Sequence, residues 1–267
     1  MSPDLIPAQL IPFQDLDAGT VALLFAIYLV TAVVRGAFGF GGVAPAIVFS
    51  SLMVEPHYAI LLSLVTACYC QFQIFPFALR HGDWQVAKPM FLSGFLAIAL
   101  GVFVFKSLEA GWLTICLGVV MAGIVVLDYY KVMERLAERI DLRSTATAFG
   151  LSSAAGLIAG VAGGGGMYLY SIYLKYACPT PASMRGTSIL LGAIFIYWRF
   201  LAAALMALIS LRLLIEALIM VPPSLIGAWV GIRFFRWADA KKFYGAFQLV
   251  LFMGAAILLW KGLRQVM

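Results

Sequence analysis

The sequence predicts an all-α, polytopic membrane protein with two inverted repeats, each holding a glycine-broken helical hairpin and three transmembrane helices. Three observations lead to this prediction. Of 267 residues, 64% are hydrophobic and only 11% are charged, whereas a soluble domain carries roughly 25% charged residues. Apolar segments long enough to cross a bilayer recur along the chain. A glycine-rich segment in the first half also aligns with one in the second half.

The apolar segments each have close to the ~20 residues that a helix needs to cross a bilayer. They cover residues 57–79, 86–105, 112–130, 186–208, 213–233 and 243–260. A β-barrel would show short alternating segments instead. Continuous apolar runs predict helices, because a helix satisfies its own backbone hydrogen bonds in lipid. We therefore expect a multi-pass protein of the cell inner membrane, surrounded by the lipid bilayer.

The glycine-rich segments indicate an internal duplication. Residues 34–43 align without gaps on residues 158–167. Four glycines coincide, namely Gly36 with Gly160, Gly39 with Gly163, Gly41 with Gly165 and Gly42 with Gly166. The predicted organisation is an N-terminal tail (1–19), a first repeat (20–130), an amphipathic surface linker (131–144), a second repeat (145–261) and a C-terminal tail (262–267).

The distribution of lysine and arginine predicts the orientation of the repeats. If each glycine-broken pair folds back as a hairpin, the two membrane sides receive 12 and 4 of the 18 basic residues, with Arg35 and Arg199 inside the membrane. If each pair crosses once, the division becomes 9 against 7. Because basic loops favour the cytoplasm, the hairpin is preferred, and the repeats are then inverted with both termini outside. The same loops explain the net charge of +6, so no nucleic-acid partner is expected.

The two glycine clusters are the first candidate binding elements. Glycine lowers helix propensity and permits positive φ, so each helix should unwind at its cluster. Unwound backbone at membrane depth must line a cavity or be buried in protein. The second arm of each hairpin then begins with free N–H groups that suit an anion. The predicted ligands are Gly39, Phe40, Gly41, Gly42, Gly163, Gly164, Gly165 and Gly166. The alternative is that these glycines only allow close helix packing.

Polar side chains within the spans complete the candidate site. An arginine inside a membrane is costly and is a functional hypothesis by default, so Arg35 and Arg199 are expected to balance a bound anion. Arg199 could instead pair with backbone carbonyls, and Arg35 could lie near the membrane interface. Gln71, Thr187 and Ser188 offer neutral hydrogen bonds to the substrate, although such groups also join helices to one another.

Other chemistries find little support in the sequence. The cysteines and histidines are scattered, and no nucleophile–base pair falls in the spans, so we expect no cofactor, no metal and no enzymatic activity. Glu216 follows Arg212 by four residues, a spacing that favours a structural ion pair over a proton relay. The expected partners are a small anionic substrate and lipid, and a homo-oligomer is compatible with the sequence.

Several motifs together resemble the TauE/SafE (sulfite exporter, or TSUP) family. They are the clusters Gly39-Phe40-Gly41-Gly42 and Gly163 to Gly166, the segment Arg185-Gly186-Thr187-Ser188 and the loop His81-Gly82-Asp83-Trp84. In the second half, Ile209-Ser210-Leu211 departs from the loop that the family pattern implies. The resemblance implies a secondary transporter that moves sulfite, sulfoacetate or a related organosulfonate by alternating access. A passive anion channel and a carrier of a non-sulfur organic anion are the alternatives.

Overall fold

The computed structural model describes residues 11–38, 42–137, 144–234 and 240–267. Gly39, Phe40 and Gly41, most of the N-terminal tail and residues 138–143 of the linker lie outside this part of the chain. The described residues form α1 (Ala18–Phe38), α2 (Val43–Met53), α3 (Pro56–Gln71), α4 (Phe75–His81), α5 (Trp84–Ser107), α6 (Ala110–Tyr129), α7 (Val132–Ala137), α8 (Thr145–Ala162), α9 (Gly166–Ala177), α10 (Pro181–Leu205), α11 (Leu211–Ile219), α12 (Val221–Phe234) and α13 (Ala240–Val266). The all-α prediction is confirmed.

The long helices have the length and surface of membrane spans. Those that can cross a bilayer cover Ala18–Gly36, Trp84–Ser107, Ala110–Tyr129, Pro181–Leu205, Leu211–Arg233 and Gln248–Val266. Large apolar side chains on their outer faces are exposed, among them Leu96 at 72% and Leu249 at 61%. Such an extensive apolar surface is unfavourable in water and is what lipid contact requires. The prediction of a polytopic membrane protein is confirmed.

The span predicted at 57–79 is bent, unlike the continuous helix that its hydropathy indicates. The helices α3 and α4 meet at an angle of 62°. Pro76 lies in the first turn of α4. Proline has no backbone N–H to donate, and its ring clashes with the carbonyl group four residues earlier. That carbonyl belongs to Phe72, in the turn between the two helices. Gln71 is therefore the last residue of α3 and does not lie in a helix interior.

The predicted helix break at the second glycine cluster is present. Helix α8 ends at Ala162, and Gly163 and Gly165 both adopt left-handed backbone conformations, with φ of 77° and 85°. L-residues with a side chain avoid this region, which explains why glycine occupies both positions. Helix α9 then folds back along α8, so that Gly166 lies directly against the backbone of Ala155. The outcome is a hairpin and not a second full crossing.

At the first cluster, helix α1 ends at Phe38 and α2 begins at Val43. Gly42 contacts Thr31 and the Cβ of Arg35 on α1, so α2 also turns back along the helix that precedes it. In both halves a long helix is therefore followed by a shorter helix that turns back along it.

The helix pairs across the two halves correspond under exchange of the repeats. Helix α1 packs along α12, and its counterpart α8 packs along α5. Glycine allows both close approaches: Gly36 lies against Ala228, and Gly160 lies against Gly101. A Cβ added to Gly160 would stand 2.7 Å from the Cα of Gly101. For the aligned glycines Gly36 and Gly160, close helix packing is thus the observed role.

In chain order, α3 and α6 of the first half take the places that α10 and α13 take in the second, and we call these helices counterparts. Counterpart helices run antiparallel. Gly111 near the start of α6 packs against Gln265 at the end of α13, while Asp128 near the end of α6 accepts a hydrogen bond from Gln248. In the same way, the carbonyl of Cys68 on α3 accepts from the hydroxyl of Tyr197 on α10 at 3.2 Å. Three residues later on α3, Gln71 donates to the carbonyl of Ile189, eight residues earlier on α10.

Candidate functional site

A cavity with a volume of about 390 Å³ opens beside the second glycine break. Its deep end is formed by Gly163 to Gly166 and by Arg199, and its walls include Ile124, Phe195 and Ile196. A water molecule occupies about 30 Å³ in the liquid. The cavity can therefore hold a small anion together with several waters.

The glycine break supplies backbone hydrogen-bond donors to this deep end. Helix α9 begins at Gly166, and the first N–H groups of an α-helix have no acceptor within the helix. They carry part of the positive end of the helix dipole. The N–H of Tyr168 is already engaged, because it donates to the carbonyl of Gly165 at 3.1 Å. The N–H of Gly163 is engaged as well, because it donates to the carbonyl of Ala159 at 3.0 Å. The candidate donors to a ligand are therefore the N–H groups of Gly164, Gly165 and Gly166.

Arg199 is the buried cation of the cavity. Its side chain rises from α10 and the residue is only 4% exposed. Its Nη1 lies 3.0 Å from the point that a Cβ on Gly163 would occupy, so the guanidinium faces the helix break. Its Nε donates to the carbonyl of Gly160 at a long 3.4 Å. Among the described residues no carboxylate forms an ion pair with it. Because such a buried charge is costly, Arg199 is a functional-site candidate by default.

The mouth of the cavity carries charges of both signs. Glu134 on α7 lies 3.7 Å from Lys131 and 3.9 Å from Lys175, and Asp128 lines the same region. The two lysines and two carboxylates balance each other, so the excess positive charge of the cavity lies deep, at Arg199. Sequence reasoning treated the linker as a solvated surface. Lys131 and Glu134 in the linker are close in sequence to Asp128 at the end of α6, and this cluster of charges was the sequence signal for the mouth.

Arg35 lies in a separate, smaller pocket with a volume of about 30 Å³. Its Nη2 donates to the carbonyl of Cys70 at 3.3 Å and to Oε1 of Gln71 at 3.2 Å. Gln71 in turn donates to the carbonyl of Ile189. The structure thus brings Arg35, Gln71 and Gly42 close together, but apart from the deep end of the large cavity.

Thr187 and Ser188 are not among the residues that line either cavity. Thr187 is fully buried, and its Oγ1 accepts a hydrogen bond from the backbone N–H of Asp83 at 2.8 Å. Asp83 caps α5 by accepting from the N–H of Gln85 at 2.9 Å. Gly186 packs against His81. The two sequence motifs around Asp83 and Thr187 therefore hold one loop in place.

The predicted ligands Gly39, Phe40 and Gly41 lie outside the described residues. Sequence reasoning also missed Tyr168, Tyr170 and Ser171, which line the cavity along α9. Tyr168 and Ser171 are three residues apart on the second arm of the hairpin, so they share one helix face, and this spacing is the signal that could have indicated them.

Comparison with known proteins gives one result. A family model described as "Sulfite exporter TauE/SafE" matches residues 24–258. The matched range includes both glycine clusters, both intramembrane arginines and the whole lining of both cavities. The chain matches no curated protein and no solved structure.

Proposed function

The chain belongs to the TauE/SafE family of sulfite exporters, and on this premise we propose that it is a secondary transporter of a small sulfur-containing anion. The proposed substrates are sulfite, sulfoacetate or a related organosulfonate, moved across the cell inner membrane by alternating access. The observation that carries the proposal is the position of Arg199, which is buried beside a broken helix in a cavity large enough for such an anion.

The proposed binding mode uses two kinds of donor. The guanidinium of Arg199 is planar and can bind two oxygens of a sulfite or sulfonate group at once. The N–H groups of Gly164 to Gly166 donate to the remaining oxygen, as helix N-termini do for other oxyanions. The lack of a Cβ at Gly163 and Gly165 lets the anion approach the backbone closely. A neutral solute would leave the arginine uncompensated, so the site favours anions.

The apolar walls suit the organic part of a sulfonate. Ile124, Phe195 and Ile196 line the cavity between its deep end and its mouth. A sulfite ion would occupy the deep end alone, while the short carbon chain of an organosulfonate would extend along these side chains. Substrates of the proposed class would therefore share the Arg199 contact and differ in apolar contacts.

The charges at the mouth support a cytoplasmic opening. Lys131 and Lys175 line the cavity. In the hairpin arrangement they belong to the side that collects most of the basic residues, which is cytoplasmic by the positive-inside rule. The proposed transporter is thus open to the cytoplasm in this conformation. An exporter in this state would be ready to load its substrate.

The antiparallel counterpart helices support the inverted arrangement of the repeats. A rotation axis in the membrane plane reverses each helix, so α6 and α13 must then run in opposite directions, as α3 and α10 must. We propose that in the outward-open state each hairpin adopts the conformation that the hairpin of the other half has in this structure. This exchange is what alternating access requires.

The test of the site is sulfite binding to the purified protein in lipid nanodiscs. We expect saturable binding to the wild type and a loss of affinity of about tenfold or more for Arg199→Gln, because a hydrogen bond to a charged group contributes ~1.5–3 kcal/mol. Arg199→Lys should fall between the two, since it keeps the charge without the planar fork.

Arg185→Gln is the matched control, because this exposed arginine lies on the same helix and stacks on Phe77, away from the cavity. It should bind sulfite as the wild type does. If a folded Arg199→Gln protein bound sulfite with unchanged affinity, the proposed site would be wrong.

A further inference from the structure

A second pocket, the Arg35 pocket, lies between α1, α2, α3 and α12. Its lining is rich in hydroxyl groups around one guanidinium, and includes Tyr28, Thr31, Arg35, Ser63, Thr66 and Ser224. Ser63 and Thr66 are each only 3% exposed. These hydroxyls bond within the protein, so the costly group of the pocket is the guanidinium of Arg35, and an arginine within a membrane protein is a functional-site candidate by default.

Only one layer of side chains separates the Arg35 pocket from the Arg199 cavity. Val43 at the start of α2 and Ala67 on α3 line both spaces. The Arg199 cavity lies on one side of these two residues and the hydroxyl-rich pocket lies on the other. The two spaces are therefore consecutive compartments and not unrelated cavities.

The charge of Arg35 is not compensated by the described residues. Both acceptors of its Nη2, the carbonyl of Cys70 and the amide oxygen of Gln71, are neutral. The nearby hydroxyls of Thr31 and Thr66 donate to carbonyls of their own helices, at 2.7 Å and 2.8 Å. Rotation about χ1 would turn these donors into the pocket. The chemistry suits an oxyanion.

Hydrogen bonds join the residues on the far side of the Arg35 pocket. Tyr28 and Ser63, which both line it, share a hydrogen bond of 2.9 Å. Beyond them, Tyr58 and the backbone N–H of Phe13 both donate to Glu216. The pocket volume of about 30 Å³ holds one or two waters, so the space is contracted while the opposite cavity is wide.

We infer that the Arg35 pocket is a second anion subsite, which the substrate occupies after passing between Val43 and Ala67 on its way from the Arg199 cavity to the opposite face. This inference rests on the proposed function and adds a partition and an exit subsite to it. The partition opens and the pocket expands when the transporter converts to its outward-open state.

Cys70 is a natural reporter of this pocket, because it lines the pocket and is 3% exposed. Cys68, Cys116 and Cys178 are replaced by alanine, so that Cys70 is the remaining thiol. Its reaction with two methanethiosulfonates is measured in proteoliposomes with sulfoacetate present, because sulfite would itself attack the sulfur of these reagents. One reagent carries a sulfonate and the other a quaternary ammonium group. In each reaction the thiolate forms a disulfide with the reagent's thioalkyl group, and methanesulfinate leaves.

The rate with the anionic reagent is divided by the rate with the cationic reagent, and this ratio is compared with the same ratio for a free thiol in solution. The comparison reports the electrostatic potential at Cys70. Any change in the thiolate itself affects both reagents equally and cancels. We expect a preference of about tenfold for the anionic reagent, which Arg35→Gln abolishes and Arg35→Lys retains. Val43→Ala should raise both rates for reagent added from the Arg199 side, because it thins the partition.

The inference is overturned if Cys70 reacts with neither reagent, if Arg35→Gln leaves the preference unchanged, or if Val43→Ala leaves both rates unchanged. All variants are first checked for monodisperse elution and for sulfite binding. If binding still depends on Arg199 while the Cys70 results fail, the second subsite is wrong and the proposed function stands. If the wild type binds no sulfite, the proposed function itself is wrong.

Discussion

Buried charged side chains fall into two kinds according to their hydrogen bonds. Glu216 is 1% exposed and accepts from the N–H of Phe13, the hydroxyl of Tyr58 and Nε of Arg212, at 2.8 to 2.9 Å. The structural ion pair predicted from its spacing to Arg212 is confirmed. Within the part of the chain that the structure describes, Arg199 has only a long hydrogen bond to the carbonyl of Gly160. A satisfied buried charge holds the structure together, whereas an unsatisfied one is available to a ligand.

Glu216→Ala should lower the free energy of unfolding by about 3–5 kcal/mol, because it leaves three donors without their shared acceptor. The matched control is Glu134→Ala. Glu134 also pairs with basic groups, but its side chain is 46% exposed, so its removal should cost less than about 1 kcal/mol. The measurement is unfolding in detergent micelles monitored by circular dichroism. Equal effects of the two substitutions would contradict this view of Glu216.

The residue scale also shows what the sequence could and could not predict. Arg199 could be recognised from the sequence alone, because it is a charged residue within a long apolar segment. The role of Thr187 was not, because its hydrogen-bond partner Asp83 is 104 residues away in the chain. A polar residue in a span has the same sequence appearance whether it faces a substrate or a loop.

At the scale of single helices, glycines that lie close together in the sequence have different structural roles. In α8 and the turn that follows, Gly160 permits the crossing of α5, while Gly163 and Gly165 reverse the chain with positive φ. Gly150 has no atom within 4 Å of an added Cβ. Close helix packing and an unwound turn therefore occur at neighbouring positions, and ligand binding by the turn stays a proposal. Only the backbone angles and contacts distinguish them.

Gly160→Ala should destabilise the protein by about 1–3 kcal/mol, because its Cβ would overlap the backbone of α5 and force the helices apart. Gly150→Ala, in the same helix, should be neutral or add ~0.5–1 kcal/mol, since alanine is the better helix former. The unfolding midpoints of the two variants in one detergent test this. An unfolding midpoint for Gly160→Ala as high as that for Gly150→Ala would contradict the packing assigned to Gly160.

The break between α3 and α4 belongs to the same scale. Hydropathy alone predicts one continuous span over residues 57–79, because a bend does not change the apolar character of a segment. Pro76 was visible in the sequence, and its effect on the preceding turn is local and predictable. Proline position thus defines the course of this span better than its hydropathy does.

For the whole molecule, bulk composition and the recurrence of long apolar segments were sufficient to predict an all-α, polytopic membrane protein. The antiparallel pairing of α6 with α13 agrees with the inverted orientation that the loop charges favour. The cavity could not be predicted, because its lining comes from helices spread between Val34 and Leu251. Its depth, its mouth and its partition depend on how the two halves pack.

The most direct test of the central claim, a carrier with an anion site at Arg199, is counterflow of labelled sulfite into proteoliposomes. Vesicles loaded with unlabelled sulfite should accumulate labelled sulfite transiently and saturably, because an alternating-access carrier exchanges one anion for another. Arg199→Gln should abolish this accumulation while Arg185→Gln retains it. A flux that does not saturate and is indifferent to internal sulfite would identify a channel, and counterflow unchanged in Arg199→Gln would contradict the site.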